Sequence, residues 1–301
     1  MKIALSDVRK FGNIELLAKQ LVEGFITGLH KSPYHGFSVE FAEHRLYNNG
    51  ESTRHIDWKV YAKTDRLYTK RYEEETNLRC QLVIDNSASM YYPQENKGKI
   101  TFSVMAAAAL SYLLQTQRDA VGLSIFSEEI EHQTPVKSTS SHVHKLFLIL
   151  ENLLDDTPAQ RKTSVASVLH QIAEKIHKRS LVVIFSDMFE NQEETDAIFA
   201  ALQHLKHNRH EVLLFHVTDH KTELNFDFEE RPYEFIDMEQ GERLRLHPSQ
   251  VKEAYQKHMQ AYYHDLKIKC GQARIDFIEA DISQGFDQVL RTYLVKRAGM
   301  K

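Results

Sequence analysis

Between Val8 and Leu29 apolar side chains recur three or four positions apart: Val8, Phe11, Ile14, Leu17, Leu21, Phe25 and Leu29. That spacing gathers them on one stripe of a helix, and Pro33 and Gly36 are its expected stop. From Phe37 to Leu46 the pattern alternates, with Phe37, Val39 and Phe41 on one face, which predicts a strand. Asn48-Asn49-Gly50 is a turn signal, a short helix is expected around 57–63, and a second alternating strand runs from Leu67 to Glu73.

From Cys80 the period changes. Cys80 to Ile84 is a short apolar run that ends in Asp85, and the helix expected over 99–117 is apolar nearly all round at its centre, from Met105 to Leu110, so it should be buried. Strands are predicted at 121–126, 129–134, 181–185 and 212–217, and helices at 141–154, 164–177 and 195–205. Strands alternating with helices predict an α/β fold with a mostly parallel sheet covered on both faces. After Asp219 the alternation breaks. Tyr233–Asp237 and Arg243–Leu246 flank Glu239-Gln240-Gly241-Glu242 as a hairpin. A long helix from Pro248 to Lys269 is expected to stop at Gly271, followed by a strand over 274–280 and a helix over 286–295. The domain expectation is an N-terminal helix and small β subdomain over 1–77, then an α/β domain over 78–301 with a hairpin insertion near 233–246.

Composition narrows the class without naming a function. The chain has 301 residues, 42% of them hydrophobic and 27% charged, which suits a soluble globular protein. A formal net charge of -4 supplies no electrostatic case for nucleic acid as the main partner. Cys80 and Cys270 cannot make a disulfide framework and suit a reducing compartment. The first residues hold no signal-peptide apolar core, and the stretch from Val104 to Leu114 is about half of the ~20 residues a bilayer span needs. The expectation is a cytoplasmic protein.

The chemistry concentrates where the first buried strand ends, in Asp85-Asn86-Ser87-Ala88-Ser89. Binding groups in parallel sheets collect at the carboxyl ends of strands, where the strand order reverses. A carboxylate and two hydroxyls at alternate positions are oxygen donors of the kind that hard divalent cations require. Two further donors stand at corresponding places: Thr163, just before a predicted helix, and Asp187, just after the strand 181–185. Asp85 and its serines could instead cap a following helix. Asp85 could also be a phosphoryl-accepting nucleophile, but Ser87 stands where such phosphatases place a second Asp.

Asp85-x-Ser87-x-Ser89, followed by Thr163 and then Asp187 after a buried strand, resembles the metal-ion-dependent adhesion site of von Willebrand factor type A domains. The resemblance implies a doubly wound, von Willebrand A-like sheet and a Mg²⁺ or Mn²⁺ ion at Asp85, Ser87, Ser89 and Thr163, with Asp187 acting through water. It also implies an open coordination position for a carboxylate from a protein partner. Arg161-Lys162 and Met188 stand where glycines are usual in A domains. The flanking segments Gly50 to Trp58, Leu67 to Glu75 and Phe235 to Glu242 resemble the domain-of-unknown-function family numbered fifty-eight. Members of that family are often encoded near MoxR-type AAA+ ATPases, which implies an adaptor or partner role beside such an ATPase.

No catalytic set accompanies these residues: there is no Gly-rich phosphate loop, no Gly-x-Ser-x-Gly elbow and no oriented Cys/His pair. The expectation is therefore a metal-dependent protein-binding module rather than an enzyme. The rival is a Mg-dependent phosphohydrolase or nuclease using Asp85 and Asp187, and a third reading is a structural A domain with an empty site. His204, His207 and His210 lie three apart, but at the expected C-terminal end of a helix, where positive charge is favoured anyway. Trp58 reads as a packing anchor and Arg54–Asp57 as a structural ion pair.

Overall fold

The computed structural model describes residues 13–30, 44–46, 61–63, 65–70, 78–155, 165–188, 192–238 and 241–299. The chain divides into two compact units, Ile26–Asn77 and the remainder, Met1–Phe25 with Leu78–Lys301.

In the smaller unit, β1 (His44–Leu46) pairs antiparallel with β2 (Tyr68–Lys70), His44 opposite Lys70. Residues 61–63 are helical. The rest of the expected strands and helix there, and Arg54, Asp57 and Trp58, lie outside the described residues.

Helix α1 (Ile14–His30) opens with Asn13, whose side-chain oxygen accepts the Leu16 backbone N–H at 2.8 Å. That is the capping role for which Asn is favoured. Leu17, Ala18, Leu21 and Val22 are buried along the predicted stripe; Val8 and Phe11 lie outside the described residues.

The larger unit is a mixed α/β structure around a six-stranded sheet. In chain order its strands are β3 (Arg79–Asp85), β4 (Ala120–Phe126), β5 (Ile130–Gln133), β6 (Leu181–Ser186), β7 (Glu211–Thr218) and β10 (Asp276–Asp281). Across the sheet they lie β10-β7-β6-β3-β4-β5. Every neighbouring pair is parallel except β4 with the edge strand β5. The chain thus builds outward from β3 to β5, returns to lay β6 on the other side of β3, and builds outward again. The gap between the carboxyl ends of β3 and β6 is where the strand order reverses.

The helices are α2 (Gly98–Thr116), α3 (Ser140–Asp155), α4 (Val165–Lys175), α5 (Gln192–His207), α6 (Pro248–Gln272) and α7 (Asp287–Gly299). Val83, Val182, Ile184, Val212 and Leu214 point to one face and pack against Val168, Leu169 and Ile172 of α4, Ile198 and Leu202 of α5, and Leu266 and Cys270 of α6. Helix α2 contacts β3, β4, α3 and α7, and Phe102 stacks on Phe286 at 5.1 Å between centroids. Its Ala106-Ala107-Ala108-Ala109 run is buried throughout, as the absence of a polar stripe predicts.

One boundary differs instructively. Gly271 does not stop α6; the helix runs to Gln272, and Arg274 takes the left-handed conformation, φ 55°. The Ile275 N–H donates to the Cys270 carbonyl at 2.9 Å, which turns the chain so that Ile275 enters the core. Burial of Ile275 sets the end of the helix, and the nearest Gly is not used. Strand β9 (Arg243–Leu246) pairs antiparallel with β8 (Tyr233–Ile236), Tyr233 opposite Leu246, which is the strand pairing the hairpin pattern predicts.

Candidate functional site

Strand β3 delivers Asp85 to the carboxyl edge of the sheet, fully surrounded: Asp85, Ser87, Ser186 and Asp187 are all buried. Asp85 Oδ1 accepts the Ser87 backbone N–H at 2.9 Å, and Asp85 Oδ2 accepts the Ser186 hydroxyl at 2.7 Å. The Ser87 and Ser89 hydroxyl oxygens lie 3.0 Å apart. Burial pushes the Asp85 carboxyl up to about 7, and the charge of Asp187 adds to the effect. Its hydrogen bonds from Ser186 and Ser87 oppose the rise.

The intervening Asn86 holds the loop. Its N–H donates to the Phe126 carbonyl at 2.6 Å, its side-chain oxygen accepts the Tyr91 hydroxyl at 2.7 Å, and its amide donates to Glu131 at 2.8 Å. The other Glu131 oxygen accepts the Ser127 hydroxyl at 2.7 Å. The β3 loop is therefore tied to the β4–β5 turn independently of any ion.

Asp187 is brought to the same edge, but into an ion pair. Lys99, in the first turn of α2 and 1% exposed, donates to Asp187 Oδ2 at 2.7 Å and to Glu223 Oε1 at 2.5 Å. Glu223 belongs to a π-helical turn, His220–Leu224, directly after β7, and its second oxygen accepts the Asp219 N–H at 2.7 Å. Burial opposes the charge on Lys99, yet the two carboxylates hold its pKa above the ordinary lysine range. Burial pushes Glu223 up, against the pull of Lys99. His216, beside Ser186 in the sheet register, is driven down to about 4 by burial and is neutral.

Four of the five predicted donors can be placed. Asp85, Ser87 and Ser89 share one loop, and Asp187 is on the neighbouring one; Thr163 lies outside the described residues. Sequence reasoning missed Ser186, Lys99 and Glu223. The first was legible, because alternation from Ile184 puts residue 186 on the face of Val83 and Asp85. Nothing local marks the other two, since a single Lys in an apolar helix and a Glu after a strand read as surface residues. The three histidines do not converge. His204 pairs instead with His170, Nδ1 to Nδ1 at 3.0 Å, and His210 is buried, accepting the Ser180 N–H at 3.2 Å.

Cys80 and Cys270 are buried free thiols. Burial pushes Cys270 up to about 12 and Cys80 also upward, so both are inert. Among the described residues, no cluster of three or more His, Cys, Asp or Glu could hold a metal ion. The set at the β3–β6 edge is of another kind, rich in hydroxyls. The Ser87 and Ser89 hydroxyls share a hydrogen bond at 3.0 Å, a separation that two adjacent oxygens on an octahedral Mg²⁺ at ~2.1 Å would also have, about 3 Å. The carboxylate of Asp85 beside them is buried and would be the anionic donor of such a set.

Comparison with known proteins places the chain in a family. Residues 43–264 match the family described as "Protein of unknown function DUF58", and the chain belongs to it. An uncharacterized protein of Mycobacterium bovis is 27% identical over 174 residues, covering 58% of this chain and 55% of that protein. An uncharacterized protein of Mycobacterium tuberculosis matches to the same extent, so the aligned region spans about 55% of these relatives' length. Among solved structures, the conserved hypothetical protein BatB from Bacteroides thetaiotaomicron is similar at a TM-score of 0.45 and 12% identity, covering 74% of this chain and 99% of that one. An aerotolerance-related membrane protein from Bacteroides fragilis is similar at 0.42 and 13% identity, covering 70% and 99%. Among the described residues of the present chain, no helix is long and apolar enough to cross a membrane.

Proposed function

We propose that residues 78–301 form a von Willebrand A-like domain that binds a protein partner through a divalent ion, and that it serves as partner or adaptor of a MoxR-type AAA+ ATPase. One observation carries the proposal: Asp85, Ser87 and Ser89 meet Ser186 and Asp187 at the reversal point of a mostly parallel sheet, in a loop braced by Asn86. In this reading Asp85, Ser87, Ser89 and Thr163 hold Mg²⁺ or Mn²⁺, with Asp187 acting through water. The ion supplies an electrostatic attachment point for an acidic side chain of the partner. The chain's own contribution is to keep the donors in register and dry, so that little reorganisation is needed on binding. The ATPase association rests on the family resemblance, and the function is binding rather than turnover.

Calorimetric titration with Mn²⁺ tests the metal site. Wild-type protein should bind one ion at millimolar levels or better, and Asp85→Ala should bind none while keeping its fold. Absence of binding to the wild type would end the metal reading. Steady hydrolysis of phosphoesters or nucleic acid, lost in Asp85→Ala, would replace the binding function with the enzymatic one. For the partner, co-purification of the ATPase with the tagged chain should survive in Mg²⁺ and fail in EDTA or in Asp85→Ala.

A further inference from the structure

The Lys99 ammonium is the feature of this edge that a hydroxyl-and-carboxylate ion site does not call for. Lysine is among the residues least often fully buried, and a buried ion pair is not in general a gain in stability over apolar packing. Here the ammonium is 1% exposed and reaches two carboxylates that come from separate strand ends, Asp187 after β6 and Glu223 after β7. Its remaining side lies over the Tyr92 ring, 5.8 Å from the centroid. Asp85, Asp187 and Glu223 thus all stand at one sheet edge, and the Lys99 ammonium pairs with two of them, Asp187 and Glu223.

We propose that Lys99 is the resident counter-ion of this site, holding Asp187 and Glu223 so that the bare site takes a divalent ion weakly and holds it firmly only when an acidic ligand adds a negative charge. The inference rests on the metal reading of Asp85, Ser87 and Ser89, and concerns how that site is regulated. A monovalent cation fixed beside these carboxylates repels an incoming dication, and the low effective dielectric of a protein interior strengthens that repulsion over its value in water. It also engages Asp187 Oδ2 directly, at 2.7 Å. Of these three carboxylates Asp85 has no ammonium partner among the described residues, and its two oxygens are oriented by Ser87 and Ser186. A site so balanced discriminates between being empty and being completed by a partner, which an unopposed acidic cluster would not do.

The test is Mn²⁺ titration, by calorimetry and by loss of the free-ion electron-spin signal, of wild type, Lys99→Met, Asp85→Asn and the double variant Lys99→Met/Asp85→Asn. Lys99→Met should bind Mn²⁺ at least about tenfold more tightly than wild type, a difference of ~1.4 kcal/mol, and the double variant should lose that binding. Because Lys99→Met removes the ammonium from two buried carboxylates, Lys99→Met/Glu223→Gln is measured beside it, and circular dichroism establishes which variants are folded. In the folded variants the thermal midpoint should also rise more steeply with added Mn²⁺ than in wild type. If wild type binds Mn²⁺ and the folded Lys99 variants bind no more tightly, the counter-ion role is wrong and the metal site stands. If neither wild type nor any folded Lys99 variant binds, both fall together.

Discussion

Two rows of residues cross the same strands one position apart and face opposite ways. One reads Ile125, Ile84, Phe185, Phe215 and Ile278 across the register. The other, one residue further along, reads Phe126, Asp85, Ser186, His216 and Glu279. The first is apolar from end to end, and Phe185 stacks on Phe215 at 5.2 Å. The second carries the buried carboxylate of Asp85, the buried hydroxyl of Ser186 and the buried neutral imidazole of His216, and ends at the exposed Glu279. The same backbone ladder supports both, so the sheet tolerates a polar row at its carboxyl edge once the next row is a complete apolar layer. The polar row lies on the face that also holds Gln81, whose amide donates to Ser124 at 2.9 Å deeper in the sheet. Polarity on that face is organised by hydrogen bonds, and that is where ligand chemistry can be placed.

The sharpest way to break the comparison is to remove the apolar row. Phe185→Ala should cost about 3–5 kcal/mol, lowering the denaturation midpoint and removing metal and partner binding together. A loss of binding with an unchanged midpoint would mean that the two rows are not separable in this way.

The polar row should respond to pH in the opposite sense from an ordinary paired carboxylate. Asp85 is raised from 3.8 to about 7 in the folded protein. The folded state therefore keeps a proton that the unfolded chain releases, so without metal its contribution to stability is greatest below about pH 4 and falls as pH rises towards 7. Asp85→Asn should remove this decline and stabilise the metal-free protein at pH 8 by on the order of 1–4 kcal/mol, while Mn²⁺ binding disappears. Denaturant midpoints of wild type and Asp85→Asn compared from pH 4 to 8 decide the matter, because burial of neutral His216 raises the stability of both over the same range; an advantage of Asp85→Asn that does not grow with pH would contradict it.

Ser124→Ala sharpens the comparison within the polar face. It strips the Gln81 amide of its acceptor in a dry environment and should cost about 1–3 kcal/mol, with Mn²⁺ binding unaffected because the site lies at the strand end. An isothermal titration matching wild type, with a lower melting temperature, is the expected pair of results. The smallest effect is expected at Leu244 of the β8–β9 hairpin, which is 61% exposed. Leu244→Ser should change stability by less than about 0.5 kcal/mol, and a larger drop would show that the hairpin is covered.

Much of this architecture follows from the chain taken alone, because it depends on short-range pattern. The apolar run from Cys80 to Ile84, the all-round apolar centre of α2 and the six-residue buried strand Leu181–Ser186 are set by side-chain period and by the need to bury them. The position of Asp85 at the end of β3 follows in the same way, since the first charged residue after an apolar run marks where the strand leaves the core. Asp85, Ser87 and Ser89 are neighbours in sequence, so their meeting needs no knowledge of the fold. What tertiary structure alone decided is which distant residues join them. Lys99 reaches Asp187 across 88 positions and Glu223 across 124, and no periodicity links groups so far apart. Their encounter depends on β6 and β7 lying on the far side of β3, an order of strands that hydrophobic alternation leaves open because every buried parallel strand presents the same apolar pattern. For the same reason the stop of α6 was decided by the burial of Ile275 and not by the nearest glycine. Local chemistry named the donors; only the packing of the sheet placed a fixed ammonium among them.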